Sequence, residues 1–369
     1  MIKKIELRNF KCFEQLELPL SNLNLLSGIN SMGKSTVIQA LLLLRQAYEK
    51  DSLGEGLYLN GEYTQIGTGF DLLYFNANGD IEISLTDEAN QEYRWILDYV
   101  RDSDYLKIKK EQKKDVGLLK NLNLLNQNFE YIMAERFGPR KSYEKSFYDI
   151  EVKKHVGKYG EHVVYYLEKH GGDATGTSQV LLEGKRTLKQ QTEYWMNAIS
   201  PGIQFDFADV QAADTISLKI RQTENAAQMG TIMDYKPVNV GFGISYSLPI
   251  IVALLKAKPN DLVILENPEA HLHPQGQRKV GELIARVAQG GVQVIVETHS
   301  DHILNGIRLA AKQKVLETEK VKLYYFCTKT ENGITKHTFE EPRLDNNGRL
   351  NFWPKGFFDE WDNTLLDLL

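Results

Sequence analysis

The chain has 369 residues, 42% hydrophobic and 25% charged, with 28 Gly and 10 Pro, a balance that excludes disordered, collagen-like and low-complexity classes. Two cysteines cannot form a disulfide framework, and a net charge of −5 excludes a uniformly basic nucleic-acid coat. Apolar runs such as ALLLL at 40–44 fall far short of the roughly 20 residues of a membrane span, and the charged start MIKKIELRNF lacks a secretion signal's apolar core, so a cytoplasmic protein with no membrane partner is expected.

Alternating apolar residues predict strands over Ile2–Leu7 and Phe13–Leu18, and Leu23–Leu26 is a short apolar run in the same β structure. GINSMGKST follows at 28–36, then VIQALLLLRQAYE, whose strong helix formers predict a buried helix. Residues 56–100 return to short alternating segments broken by Gly and Asn, the pattern of a meander or hairpins. From about 101 to 235 no βαβ rhythm is visible. Residues 101–160 carry 14 Lys and Arg against 9 Asp and Glu, so positive charge concentrates there, in what reads as an inserted lobe. Residues 236–340 regain an α/β pattern, with apolar helix GISYSLPIIVALL and strands LVILE, VQVIVETH and KLYYF. The closing GFFDEWDNTLLDLL places Phe357, Phe358, Trp361, Leu365 and Leu366 on one helical stripe, which either docks on its own domain or faces another subunit.

Three motifs carry chemistry. Gly28-x4-Gly33-Lys34-Ser35 lies between a strand and a helix, the setting of a phosphate-binding loop. Its N–H groups would cradle phosphate oxygens, Lys34 would reach the β- and γ-phosphates, Ser35 would offer its hydroxyl to Mg²⁺, and Thr36 would line the helix start. The run LVILENPEAHLHP at 262–274 sets Glu266 and Glu269 at a strand's end, where carboxylates can hold a metal ion. The run VQVIVETHS at 292–300 ends another buried strand in His299, placed to sense a γ-phosphate. A rival reading, zinc held by His271, His273, His299 and His302, has the spacing but no cysteine partner.

MIKKIELRNFKCF, GINSMGKST, VGFGISYSLPI, ILENPEAHLHP and VIVETHS stand in the order and spacing of the ABC-class ATPase heads of the SMC, RecF and OLD families. The chain most resembles compact AAA-type ATPases with a short C-terminal extension, relatives of the ATPase subunits of antiphage systems such as Septu. YIMAERFGPR (131–140) and VGKYGEHVVYYL (156–167) also match, with no chemistry evident from sequence. The resemblance implies an α/β head, a P-loop sheet with flanking helices plus an antiparallel β subdomain and an inserted mixed or helical lobe. It divides the chain into an N-terminal ATPase lobe (1–100), the inserted lobe (101–235), a C-terminal ATPase lobe (236–340) and an extension (341–369).

It also implies ATP and Mg²⁺ as cofactors, with Gly28, Asn30, Ser31, Met32, Gly33, Lys34, Ser35 and Thr36 as Walker A. Glu266 becomes the Walker B acid, His299 the switch histidine, and Gly243 and Ser245 part of the signature loop. Lys11 matches a cation beside the nucleotide, and Gln65 a glutamine that touches Mg²⁺. The sequence departs from the pattern in three places. The acid pair is Glu266-Asn267, and a neutral amide cannot accept a proton, so the general base is Glu269 or is absent. His273 stands at the D-loop aspartate, and no serine precedes the signature glycines.

The implied protein is an ATPase that forms a homodimer on ATP and regulates an effector, a nuclease or toxin from a neighbouring gene, in antiphage defence. About 70 residues follow His299, too few for a metal-binding nuclease domain, so none is expected in this chain. The alternatives are a RecF-like repair ATPase that binds nucleic acid through 101–160, and a nucleotide-binding scaffold that never hydrolyses.

Overall fold

A computed structural model describes residues 1–77, 79–109, 119, 121–127, 129–182, 184–222, 233–235, 241–331 and 333–358. The chain divides into two compact units: Met1–Asn126 with Lys322–Arg343 and Phe352–Leu369, and Gln127–Val321 with Leu344–Asn351. Elements are numbered in chain order.

The first unit opens with β1 (Ile2–Phe10) and β2 (Phe13–Pro19). Their alternating residues pair antiparallel with Ile5 opposite Leu18, Leu7 opposite Leu16 and Phe10 opposite Phe13, all buried. β3 (Leu23–Gly28), buried on both faces with Asn24 and Ser27 among its buried residues, runs into α1 (Lys34–Glu49). Leu41–Leu44 of that helix are at most 1% exposed, and each such side chain contributes about 1.5–3 kcal/mol by leaving water. Then come β4 (Gly56–Tyr58), α2 (Gly69–Leu72), β5 (Ile81–Asp87), β6 (Glu92–Leu97) and β7 (Tyr105–Lys107). An antiparallel sheet runs β2-β1-β5-β6, and β4 pairs with β7. The predicted meander is therefore antiparallel structure, with β4 packed beside α1.

The second unit holds β8 (Phe129–Ile132), β9 (Tyr143–Glu144), α3 (Val163–His170), α4 (Leu188–Ile199), β10 (Ile203–Val210), β11 (Thr215–Gln222) and β12 (Met233–Tyr235). It continues through α5 (Phe242–Lys256), β13 (Leu262–Glu266), α6 (Pro274–Gln289), β14 (Gln293–Glu297) and α7 (Asp301–Lys312). β13 lies between β8 and β14 and is parallel to both. β11 pairs antiparallel with β9, β10 and β12 in a separate sheet. β8 is only four residues, too short to stand out from the basic stretch around it, yet it belongs to the parallel core. The last strands, β15 (Val321–Glu331) and β16 (Ile334–Glu340), pair antiparallel, and within the first unit β15 borders β3. Near the chain's end, Phe357 is buried against Tyr325 and Trp353 at ring separations of 5.5 and 5.6 Å. The rest of the terminal stripe, Trp361, Leu365 and Leu366, lies outside the described residues. The expected α/β class holds.

Candidate functional site

In the first unit, β3 delivers the chain into a tight loop. Gly28 has φ 134°, Ser31 φ 65° and Gly33 φ 104°, left-handed conformations that favour glycine at two of the three positions. A Cβ on Gly28 would meet the Phe326 carbonyl oxygen at 2.4 Å, and one on Gly33 would strike the Phe13 ring at 2.4 Å, so neither accepts a larger residue. Gly33 caps α1 with no side-chain hydrogen bond, and no acidic residue stands in the first turn, which leaves that helix end suited to an anion. Lys34 is 3% exposed and donates from Nζ to the carbonyls of Gly28 (2.8 Å) and Ile29 (3.0 Å). Ser35 is exposed beside it, and the Thr36 hydroxyl lies 3.6 Å from Cys12 Sγ. Asn30 is exposed in the same loop and Met32 half-buried.

A cavity of about 680 Å³ adjoins the loop. Its lining includes Lys11, Cys12, Ser31, Gly33, Ser35 and Thr36, with Gln39, Phe70, Asp71, Tyr74, Phe75, Tyr99 and Arg101 among the others. Lys11, at φ 51°, turns its ammonium into this space and donates to Gln39 Oε1 at 2.7 Å. Burial pulls its pKa below the usual lysine value. Gln65 is exposed, pairs in a bridge with Asn60, and is not among the cavity's lining residues. The glutamine at the cavity is Gln39, which the motif search passed over.

In the second unit, the acidic end of β13 is built from neighbouring segments. Tyr131 Oη donates to Glu266 Oε1 (3.1 Å) and the Ala134 N–H to Oε2 (3.3 Å). Burial nevertheless pushes the Glu266 carboxyl above its ordinary value, with these donors and Arg136 opposing. Arg136, 3% exposed, donates from Nη1 to the carbonyls of Met133 and Glu266 and from Nη2 to that of Asn267. Burial lowers the Arg136 pKa to about 10, against the opposing pull of Glu269, Tyr246 and Glu266. Glu269 is gripped from the end of β14: Thr298 Oγ1 donates to Oε2 at 2.7 Å and the His299 N–H to Oε1 at 2.8 Å. Asn267 Oδ1 is buried with no hydrogen-bond partner. The His299 side chain is exposed.

The signature segment starts α5. Gly243 sits where a Cβ would be 2.9 Å from the His271 carbonyl oxygen. Ser245 is 7% exposed, and its hydroxyl bonds with Tyr143, so it points into the unit. Phe242, 56% exposed, makes a ring cluster with Tyr246 and His271. His273, at the D-loop position, caps α6 by accepting from the Gln275 N–H at 3.4 Å. Among the described residues no three His, Cys, Asp or Glu side chains gather to hold a metal ion, and no helix is long and apolar enough to cross a membrane. Of the basic stretch, Lys110–Lys114 lie outside the described residues. Sequence reasoning missed Tyr131, Thr298 and Gln39, and read Arg136 as one of the basic residues offered to nucleic acid; the quoted YIMAERFGPR held Tyr131 and Arg136.

The family profile described as AAA ATPase domain matches residues 1–194. A profile described as AAA domain and AbiEii toxin of type IV TA systems matches 209–305, and one for a protein of unknown function (DUF3696) matches 316–368. An OLD nuclease from Thermus scotoductus is 22% identical over 348 residues, covering 81% of this chain, which spans 59% of that protein's length. A crystal structure of an SMC head bound to the C-terminal winged-helix domain of ScpA is 13% identical, covers 92% of this chain and 97% of its own, and gives a TM-score of 0.48. The SMC head domain from Thermotoga maritima is also 13% identical, over 91% of this chain and 98% of its own, with a TM-score of 0.43.

Proposed function

The chain belongs to the AAA ATPase domain family, whose profile matches more than half of it, and from that premise we propose that it binds and hydrolyses Mg-ATP, dimerises on ATP and regulates a partner effector in bacterial antiphage defence. The loop of the first unit carries this reading. An uncapped helix start, a buried Lys34 that donates to loop carbonyls, and the Ser35 and Thr36 hydroxyls form a donor set for a triphosphate. Lys34 would exchange those carbonyls for phosphate oxygens. Ser35 in the first unit and Glu266 in the second are each the kind of oxygen donor that Mg²⁺ takes, and the ion would neutralise charge developing on the transferred phosphate. Glu269 takes the water's proton. Asn267 cannot, being a neutral amide with a buried oxygen. The Gly243 region would close on the γ-phosphate of a second copy, while Ser245, bonded to Tyr143, acts through packing.

The chain spans 59% of the OLD nuclease's length. The partner effector in this reading is a nuclease or toxin from a neighbouring gene. The RecF-like alternative needs cations available to phosphates. Among the described residues of 101–160, Lys109, Lys145, Lys153 and Lys154 pair with carboxylates and Arg136 with carbonyls, whereas Arg101 and Arg140 lie over the Phe70 and Phe137 rings. The experiment is a mixture. Lys34→Ala and Gly243→Trp chains are each expected to be inactive, and together to regain partial ATPase activity through one intact composite site. No recovery, with a monomer by light scattering in ATP, removes the dimer; a nuclease or toxin that fails to co-purify removes the effector.

A further inference from the structure

We propose that Arg136 is a positioning residue for ATP hydrolysis, the clamp that sets the backbone between the two acids Glu266 and Glu269; this rests on the ATPase reading above. Sequence gave the 131–140 and 156–167 motifs no chemistry, and the structure joins them at one place. β8 runs parallel to β13 with Tyr131 beside Ile264, and then turns away while β13 continues to Glu266. The departing segment is itself braced from behind. The Met133 N–H donates to the Lys158 carbonyl and the Phe137 N–H to the Tyr159 carbonyl, and the Phe137 and Tyr159 rings stack at 5.4 Å and 3°.

From this fixed segment Arg136 reaches the carbonyls of Glu266 and Asn267, both at 2.8 Å, with its guanidinium 5.4 Å over the Tyr246 ring. Asn267 stands at φ 44°, a left-handed conformation that asparagine tolerates better than most residues but that glycine adopts more freely. Three bonds meet this residue: Arg136 and the Ala270 N–H (3.1 Å) donate to its carbonyl, and the Glu297 carbonyl accepts from the Asn267 N–H at 2.8 Å. Two residues on, Glu269 meets Thr298 and His299 in the bonds given above. The direction of the chain at Asn267 therefore decides where the Glu269 carboxylate lies relative to Glu266.

A buried guanidinium bonded to carbonyls, with no carboxylate on it and its Nε without a partner, is a costly way to stabilise a fold. A planar fork that spans two consecutive carbonyls is an effective way to fix a turn. Lysine keeps the charge but cannot span both.

The test compares the full-length parent with Arg136→Lys, Asn267→Gly and the double variant. It measures nucleotide affinity, kcat and KM, and amide hydrogen exchange of the 264–272 peptide. Arg136→Lys should bind ATP as the parent does, exchange faster within 264–272 alone, and lose about tenfold to a hundredfold in kcat with KM little changed. Glycine adopts the left-handed turn without strain, so Asn267→Gly placed on Arg136→Lys should return part of the lost kcat. An unchanged kcat in Arg136→Lys overturns the proposal. So does faster exchange throughout the chain with kcat and KM failing together, which marks a merely structural residue. A parent that binds ATP and never hydrolyses it defeats the ATPase reading instead, and the clamp itself then stands or falls on whether the 264–272 exchange rises.

Discussion

The phosphate-binding loop and the acidic turn solve the same problem, holding polar groups at a strand's end, by opposite means. In the first unit nine consecutive residues, 28–36, suffice: two glycines turn the chain, a helix start follows, and Lys34 folds back on its own loop. In the second unit the groups around Glu266 and Glu269 come from residues 131–136 and 298–299, more than 160 positions apart. A site made from one contiguous segment depends on local conformation. A site assembled from three strands depends on the packing of the whole unit, and changes far along the chain should disturb it.

The largest expected effect lies in the acidic turn. Glu269→Gln should keep ATP affinity and slow turnover by roughly 10²–10⁴-fold, the usual loss of a general base, as read by phosphate release against equilibrium binding. Unaltered turnover would move the base elsewhere and make the turn a structural feature only.

Next comes the packing beneath it. Glu130 on β8 and Lys256 at the end of α5 form an ion pair at 2.6 Å, 4% and 10% exposed. Glu130→Ala leaves Lys256 buried without its counter-charge and should cost about 3–5 kcal/mol of unfolding free energy in urea titration. Replacing both residues with leucine and methionine should restore most of that stability. In these variants the Lys34 loop should bind ATP as before, whereas kcat should fall; equal losses in both would erase the contrast between local and assembled sites.

Smaller effects probe the first unit. Burial raises the Cys12 thiol's pKa, so alkylation at pH 8 should be slower than for a free cysteine, and slower again by severalfold once Mg-ATP occupies the adjoining cavity. Protection absent at saturating nucleotide would place ATP elsewhere. Smallest of all, Gln65→Ala should change kcat and KM by less than about twofold, because that side chain is exposed and off the cavity.

Legibility followed the same division. The strands β1 to β3, helix α1 and the loop were readable because alternation, an apolar run and a glycine pattern are local signals. Glu266 and Glu269 were also readable, as acids at the end of a β-branched run. Their partners were not. Tyr131 and Arg136 sit in a four-residue strand and its exit, inside a basic stretch that suggested a nucleic-acid surface, and only the parallel pairing of β8 with β13 brings them to Glu266. Ser245 and His273 matched motif positions, but burial against Tyr143 and the helix-capping bond are tertiary facts with no sequence signature.

The central claim is that this chain turns over ATP held by the Lys34 loop. The most direct measurement is steady-state phosphate release with Mg-ATP by purified parent and Lys34→Ala, alongside calorimetric titration of ATP into each. The expected result is saturable hydrolysis by the parent, and loss of turnover by about a hundredfold or more in Lys34→Ala at an unchanged melting temperature. Equal affinity and equal turnover in the two proteins would contradict it.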